Sequence, residues 1–154
     1  MERPIRNSAK ALIIREGKMA AIRICDGGEE WYIMPGGGQD SGETLAEAVC
    51  REIAEELGIR AEYKELLFVI EGVRGERFHR VDHVFLCEYV ADIEDAQLHA
   101  DTNQTGIEWL DISRLNTLPL YPSCLRRQIM NFCEGKPYRV YLGNESAGDP
   151  ECTD

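Results

Sequence analysis

The segment 43–59, ETLAEAVCREIAEELGI, constrains the fold more than any other part of the chain. One helix there must bury an apolar face and also carry several carboxylates at the edge of that face. Apolar residues recur at a spacing of four, at Leu45, Val49 and Ile53. This spacing predicts an amphipathic helix with one face on a core. We expect the helix to begin near Glu43–Thr44 and to end near Leu57, with Gly58 as its C-terminal stop.

Three carboxylates of this helix lie at the edge of its apolar stripe. At about 100° per residue, Glu52, Glu55 and Glu56 share one arc of the helix surface. Like charges three or four residues apart destabilise a helix, and the dipole disfavours acids in its last turn. A divalent cation would remove these penalties, and Mg²⁺ and Mn²⁺ prefer carboxylate oxygens. The alternative is an ordinary solvated acidic face.

The rest of the chain predicts a mixed fold in a single domain. Strands are expected at 9–14, 19–24, 65–71, 81–90 and 107–110, with short apolar pieces at 31–34 and 138–142. The polar turn 15–18 would make the first two strands a hairpin. A helical turn is expected at 111–115 and a second helix at roughly 123–134, with Ser123 as its N-cap. Nothing divides residues 1–142, and the polar tail 143–154 is predicted to be disordered.

Composition excludes several classes of function. The net charge of −11 at pH 7 repels nucleic-acid backbones, so we expect no nucleic-acid partner. No apolar run approaches the roughly 20 residues that span a bilayer, and the N-terminus lacks a secretory signal, so a cytoplasmic protein without a membrane partner is expected. The six cysteines include no C-x-x-C pair, which favours reduced, buried thiols over a zinc site.

The region from Gly37 to Ile59 resembles the signature of the Nudix hydrolase family. That signature is a glycine, five residues, a glutamate, seven residues, and then Arg-Glu-apolar-x-Glu-Glu-x-Gly-apolar. The matching positions are Gly37, Glu43, Arg51, Glu52, Ile53, Glu55, Glu56, Gly58 and Ile59. A chance match is on the order of 10⁻⁷ or rarer at ordinary residue frequencies. The approach Met34–Gly37 also looks like the family's, and the pattern of elements extends the resemblance over roughly residues 5–142.

The resemblance implies an α/β (α+β) fold in which a mixed β-sheet lies between helices and the signature forms a loop–helix–loop. It also implies that the three signature glutamates hold Mg²⁺, with Mn²⁺ as a substitute, and that the carbonyl of Gly36 assists. Arg51 would pair with Glu43 and fix the loop against the helix. The alternative for Arg51 is a surface pair with Glu47, four residues earlier.

The implied reaction is metal-dependent cleavage of a diphosphate linkage in a nucleoside diphosphate derivative, such as ADP-ribose, a nucleotide sugar or a (d)NTP. Metal ions neutralise phosphate oxygens and activate water, and a carboxylate takes the proton. The candidates for that base are Glu52 or Glu55, with Asp101 and Glu108 also open. Two alternatives are a nucleotide-sensing binding module of weak activity and a diphosphate isomerase of related fold. A homodimer is compatible with the sequence.

Contacts with an anionic substrate are expected from the connection GVRGERFHR. Its cations are Arg74, Arg77, His79 and Arg80, opposed within that stretch by Glu76 alone. Arg23, on a strand, and Gly37, in the signature loop, are further candidates. The alternative for the connection is a solvated hairpin tip. Four aromatic residues are candidates for stacking on a base or, alternatively, for the core: Trp31, Tyr32, Phe78 and Trp109.

Overall fold

The computed structural model describes residues 2–98 and 104–153, which form nine strands, two α-helices and one 3-10 helix. The strands are β1 (Ile5–Arg15), β2 (Lys18–Asp26), β3 (Glu29–Ile33), β4 (Gly36–Gly38), β5 (Ile59–Gly72), β6 (His79–Asp92), β7 (Gln104–Asp111), β8 (Leu120–Tyr121) and β9 (Tyr141–Asn144). The helices are α1 (Leu45–Leu57), the 3-10 helix (Ile112–Thr117) and α2 (Cys124–Cys133).

The strands form one mixed sheet in the order β8-β3-β2-β1-β6-β5-β9, with β4 paired to β1 and β7 paired to β2. The pairs β1–β6, β3–β8 and β5–β9 are parallel, and the other pairs are antiparallel. The predicted hairpin of β1 and β2 is present, and its turn uses positive φ at Glu16 and Gly17. Strand β1 therefore lies in the middle of the sheet, and the signature loop pairs with it through β4.

Each face of the sheet is covered by one α-helix, which confirms the predicted arrangement of a sheet between helices. On one face, Val49 and Ile53 of α1 pack against alanines and isoleucines of β1 and β2. On the other face, Leu125 and Ile129 of α2 pack against a cluster that includes Phe68 of β5. Because the middle of β1 is covered on both sides, residues 11–14 of this strand form a continuous apolar run.

Helix α1 begins and ends where the sequence predicts. Thr44 is its N-cap: the Thr44 hydroxyl accepts from the backbone N–H of Glu47, and the Glu47 carboxylate accepts from the N–H of Thr44, which makes a capping box. Gly58 ends the helix in the left-handed conformation, with φ 66°. The carboxylate of Glu47 is therefore part of the N-terminal cap of α1.

Several strands differ in extent from the prediction. Strands β5 and β6 are longer than expected because Ile59 and Ala61 continue the buried pattern ahead of the apolar run. The last strand lies at Tyr141–Asn144 instead of 138–142. Tyr138 instead packs edge-on against Phe68, with 5.6 Å between the ring centroids.

The expectation of a disordered tail over 143–154 does not agree with the described part of that segment. Glu145 and Ser146 are buried, and the Glu145 carboxylate accepts from the backbone N–H of Ser123 at 2.6 Å and of Cys124 at 3.0 Å. Ser123 is the N-cap of α2, as predicted, but its side chain makes no capping hydrogen bond, because its hydroxyl donates to Glu145 at 2.8 Å. A carboxylate from the tail therefore satisfies the start of α2.

The expectation of reduced thiols throughout is wrong for one pair. Cys124 and Cys152 are joined by a disulfide between residues 28 positions apart in the chain. The four other cysteines, Cys25, Cys50, Cys87 and Cys133, are free. Spacing in the sequence gave no sign of this pair, because the tail brings Cys152 to α2 only in the folded chain. No helix in the described ranges is both long and apolar enough to cross a membrane.

Candidate active site

The signature loop is held against α1 by its glycines. Strand β4, Gly36–Gly38, pairs with β1 and lies directly over the carboxylates of the helix. A Cβ atom at Gly37 would lie 2.6 Å from the Cδ of Glu52, so no larger residue fits there without moving that carboxylate. The backbone N–H of Gly36 donates to Glu56 Oε1 at 2.6 Å. The loop backbone and two signature glutamates are therefore in contact.

Arg51 joins the loop to the helix, and its pairing with Glu43 is present. Its Nε and Nη2 donate to the two oxygens of Glu43 at 3.0 and 2.6 Å, and Nη2 also donates to the carbonyl of Gly38 at 2.9 Å. Its Nη1 contacts Glu52 at 3.0 Å and Glu55 at 3.4 Å. These hydrogen bonds lower the pKa of Glu43 to about 2, so its carboxylate stays ionised. The alternative pair with Glu47 is not seen in the described structure.

The three signature glutamates share this site but differ in their surroundings. Burial raises the pKa of Glu56 to about 7, although hydrogen bonds from Gly36 and Gln104 and the charge of Lys10 oppose the rise. Burial also raises the pKa of Glu52, against the hydrogen bond from Arg51. Glu55 is the most open of the three, with 38% of its side chain exposed. Carboxylates that are desolvated with few counter-charges are the donor set that a hard divalent cation takes.

Two residues that the sequence did not single out complete the site. The Gln104 side chain, at the start of β7, donates to Glu56 Oε2 at 3.3 Å. Lys10, on β1, pairs in register with Gly36. Its positive charge opposes the rise in pKa that burial causes at Glu52 and Glu56. In the sequence, the only sign that Lys10 has a role is that it is the one charged residue in the apolar segment AKALII. Nothing in the sequence places Gln104 beside α1.

A cleft leads away from these carboxylates. A cavity of about 870 Å³ is lined by the signature loop and Glu52, together with Arg6 and Phe78. A second cavity of about 970 Å³ lies beside it, between β3, α2 and the C-terminal segment. The two cavities share Lys10, Ile33, Glu76 and Arg80. Together they make one continuous groove of the size that small-molecule ligands occupy.

The predicted substrate contacts divide between the cleft and other surfaces. Arg80 lines both cavities, where it pairs with Asp82 at 2.7 Å and Glu76 at 2.5 Å, and Gly37 lines the first. Arg74 instead pairs with Asp149 at 3.1 Å, and Arg77 is exposed and is not among the residues lining either cavity. Arg23 pairs with Glu108 and Glu30 at 3.5 and 3.8 Å, outside both cavities. Strand alternation turned its side chain away from the cleft.

The four aromatic candidates also divide between the cleft and the core, although Trp31 and Trp109 both pack against the α1 face of the core. Trp31 lines the larger cavity and Phe78 the smaller one, where the guanidinium of Arg6 lies 5.1 Å from its ring centroid. Trp109 packs against the α1 face of the core, and Tyr32 packs against the opposite core. Only Trp31 and Phe78 of these four therefore line the cleft.

Glu108 is not near the signature carboxylates. It pairs in register with Ala21, which belongs to the core on the α2 face, and its side chain contacts Arg23. Paired residues of neighbouring strands project to the same face, so Glu108 lies on the face opposite α1. Asp101, the other loop acid considered as a base, lies outside the described residues. Glu52 and Glu55 remain the candidates within the site.

A mixed sheet between two helices, with a glycine loop folded onto two glutamates of the signature helix, is the architecture of a Nudix-type domain. The NUDIX domain model matches residues 4–132 of the chain. The chain therefore belongs to the Nudix family.

Relatives and solved structures agree with this assignment. The chain is 35% identical over 88 residues to "ADP-ribose pyrophosphatase" of Methanocaldococcus jannaschii, covering 56% of this chain and 50% of that protein. It is 29% identical over 92 residues to "Uncharacterized Nudix hydrolase YvcI" of Bacillus subtilis, covering 60% of this chain and 58% of that protein. It is 35% identical over 108 residues to human "8-oxo-dGDP phosphatase NUDT18", covering 70% of this chain and 30% of that protein. The chain thus spans less than two thirds of each of these relatives.

The fold is shared with solved Nudix structures. A NUDIX hydrolase from Nitrosomonas europaea superposes with a TM-score of 0.71 at 20% identity, covering 90% of this chain and 94% of that one. A structure titled UDP-X diphosphatase gives a TM-score of 0.68 at 20% identity, covering 92% of this chain and 68% of that one. At these identities the likeness establishes the fold alone.

Proposed function

We propose that the chain is a metal-dependent hydrolase that cleaves the diphosphate linkage of a nucleoside diphosphate derivative. The observation that carries the proposal is that Glu52 lines the smaller cavity beside the glycine loop, while Glu55 and Glu56 lie within about one helical turn of it and Glu56 is bonded to Gly36. The two more buried carboxylates have pKa values raised by burial, which an oxygen-seeking cation would reverse.

Mg²⁺ is the proposed cofactor, with Mn²⁺ as a substitute, because both prefer carboxylate oxygens. The three glutamates would hold it, with the backbone at Gly36 close by. A bound ion of this kind neutralises phosphate oxygens and lowers the pKa of coordinated water. These residues fit such an ion for two reasons. Their donor atoms are carboxylate oxygens, and the backbone of Gly37 lies close to Glu52.

The chain's own residues have separable roles in this proposal. Lys10 and Arg80 bring positive charge to the point where the two cavities meet and would hold the phosphate oxygens that lie away from the glutamates. Arg51 positions Glu43 and the loop. Glu52 or Glu55 would accept the proton of the attacking water, and Glu55 is the more open of the two to solvent.

The substrate class is proposed from the cleft and the relatives' names together. Those names refer to ADP-ribose, 8-oxo-dGDP and UDP-linked compounds, which share a nucleoside diphosphate. A groove of two adjoining cavities suits such a molecule, with the diphosphate at the glutamates and an organic group in the larger cavity. A nucleotide sugar, ADP-ribose and a (d)NTP all remain within this class. The cytoplasm stays the proposed compartment because four of the six cysteines are free thiols, and the Cys124–Cys152 disulfide is the one feature that the reducing conditions there would oppose.

A nucleotide-sensing module without efficient turnover is the second candidate. Such a module has no need for a complete set of signature carboxylates. This chain keeps all of them, together with the partly buried pairing of Arg51 and Glu43. That pairing favours the enzyme.

The experiment is a product-identified hydrolysis assay with Mg²⁺ on ADP-ribose, nucleotide sugars, dinucleoside polyphosphates and (d)NTPs. Glu55→Gln should abolish turnover of the preferred class. Glu62→Gln is the matched control, because Glu62 is exposed and pairs with Lys64 on β5, outside both cavities. Turnover that persists in Glu55→Gln would overturn the assignment of the site. No turnover by the wild type, with a panel member still raising its melting temperature, would favour the sensing module.

A further inference from the structure

One wall of the larger cavity lies beyond the part of the chain that matches the family model. Residues 145–149 and Glu151 line it, and they lie beyond the 4–132 match to the family model. The opposite side is formed by Trp31, Ile33 and Met34, which lie inside that match. We name residues 145–151 the C-terminal wall. One side of the larger cavity is therefore built by residues outside the match to the family model.

The C-terminal wall is anchored at several points along its length. Glu145 binds the start of α2, as described above, and Asp149 accepts from the N–H of Ser146 at 2.8 Å and pairs with Arg74 at 3.1 Å. Glu151 pairs with the largely buried Arg126 at 3.0 Å and accepts from the hydroxyl of Tyr121. The next residue, Cys152, is bonded to Cys124 of α2. A segment with these anchors holds a fixed shape against a ligand.

Charge varies along the cleft. Two cations, Lys10 and Arg80, lie where the two cavities meet, although Arg80 is paired there with Glu76 and Asp82. The rest of the larger cavity has carboxylates, including Glu30 and Glu151, and no further lysine or arginine among its lining residues. Carboxylates repel a phosphate and accept hydrogen bonds from hydroxyl and amino groups. The ring of Trp31 adds an apolar surface for stacking. The larger cavity therefore suits an uncharged, hydroxyl- or amino-bearing ring.

We propose that the C-terminal wall selects the organic group of the substrate, an uncharged nucleoside- or sugar-like ring, and that the Cys124–Cys152 bond holds the wall in place. This inference rests on the proposed function for the identity of the diphosphate end. Glu52, one of the three proposed metal ligands, lines the adjoining cavity and not the larger one, so the wall should affect binding of the ring and leave the reacting phosphates untouched.

Opening the bond is chemically simple. A dithiol such as dithiothreitol gives two electrons and two protons to the two sulphurs, which become thiols, and the dithiol becomes a cyclic disulfide. The wall then keeps its hydrogen bonds but loses its covalent attachment. We expect reduction to raise KM for the preferred substrate about threefold to tenfold, because the wall must be ordered again when the substrate binds.

The test uses Ala147→Trp and Cys152→Ser in the full chain. Ala147 is exposed and lines the larger cavity, so tryptophan there should fill the cavity without entering the core. We expect Ala147→Trp to raise KM about tenfold or more while kcat changes little. Inhibition by inorganic pyrophosphate, which lacks the organic group, should be unchanged. Val140→Trp is the matched control, since Val140 is 51% exposed and lines neither cavity.

The redox arm has its own control. Cys152→Ser should match the reduced wild type and be insensitive to dithiothreitol, whereas Cys133→Ser, which removes an exposed free thiol, should behave as the wild type does. Mass measurement of alkylated protein reports the bond directly. An unchanged KM in Ala147→Trp overturns selection by the wall. An unchanged KM after proven loss of the bond overturns its role as the anchor.

The two proposals fail in different ways. If the wild type hydrolyses its substrate with Mg²⁺ but the wall variants match it, the further inference alone is wrong. If the wild type hydrolyses nothing, the proposed function is wrong, and binding of ADP-ribose by calorimetry in wild type and Ala147→Trp decides the role of the wall. Equal affinity in that measurement overturns it, and weaker affinity in Ala147→Trp supports it.

Discussion

Glu56 should make the metal-free protein less stable as the pH rises, and glutamine at this position should remove that effect. Burial raises the pKa of Glu56 from 4.5 to about 7 in the folded protein. Between these two values the folded chain binds more protons than the unfolded chain, so the free energy of unfolding falls as the pH increases. The stability that neutral Glu56 contributes is complete below about pH 4.5 and is lost as the pH passes 7.

The size of the effect follows from the same pKa. Each pKa unit corresponds to about 1.4 kcal/mol, so the ionised carboxylate costs the metal-free fold at most about 3 kcal/mol. Water in the cleft screens the charge, which lowers the expected cost to about 1–3 kcal/mol. Glu56→Gln retains the acceptor for the N–H of Gly36 but never ionises. Relative to the wild type, the variant should therefore gain about 1–3 kcal/mol of stability between pH 5 and pH 8.

The assay is urea unfolding with EDTA at both pH values, followed by the same measurement with Mg²⁺. At pH 8, Mg²⁺ should stabilise the wild type more than Glu56→Gln, because binding to the folded state alone raises stability. Glu134→Gln serves as a control of opposite sign: Lys136 lowers the pKa of Glu134, so its small contribution is lost as the pH falls. A gap between wild type and Glu56→Gln that is equal at pH 5 and pH 8 would refute the burial argument.

Three other substitutions test the site and its helix. Gly37→Ala should displace Glu52, because the added Cβ would lie too close to its carboxylate. We expect kcat/KM to fall at least about tenfold and the Mg²⁺-induced rise in melting temperature to become smaller. Gly38→Ala is the control: nothing lies within 4 Å of its added Cβ, so both measurements should match the wild type. Arg51→Lys should lower kcat by about tenfold or more, because lysine cannot make the two-pronged bond to its loop carboxylate, and a kcat near the wild-type value would remove the positioning role. Thr44→Ala should lower the free energy of unfolding by about 0.5–2 kcal/mol through loss of the helix cap, measured in urea, with activity per folded molecule unchanged.

The sequence by itself determined the features that depend on local chemistry. The bounds of α1 follow from a threonine cap, a four-residue apolar spacing and a glycine whose left-handed conformation stops the helix. The hairpin of β1 and β2 follows from two apolar runs around a short polar turn. The pairing of Arg51 with Glu43 was implied by the resemblance to the family signature, and it is present in the structure.

Tertiary structure alone decided which distant residues join the site. Alternation along β2 and β7 turned Arg23 and Glu108 toward each other and away from the carboxylates, although both looked suitable in the sequence. Lys10 reached the site because β4 pairs with β1, and Gln104 reached it because β7 begins beside α1. These contacts depend on strand register and on the face to which each side chain projects. A one-residue change of register would reverse every one of them.

The C-terminal segment shows most clearly the difference between what local sequence determines and what tertiary contacts decide. Its composition, polar and rich in acids, favours disorder when the residues are considered locally. In the folded chain Glu145 satisfies the backbone at the start of α2, and Cys152 bonds to Cys124. Both partners lie more than twenty residues earlier in the chain, so no local pattern records them. The sequence determined the chemistry available to the segment, and only packing against α2 decided that it would form a wall of the cleft.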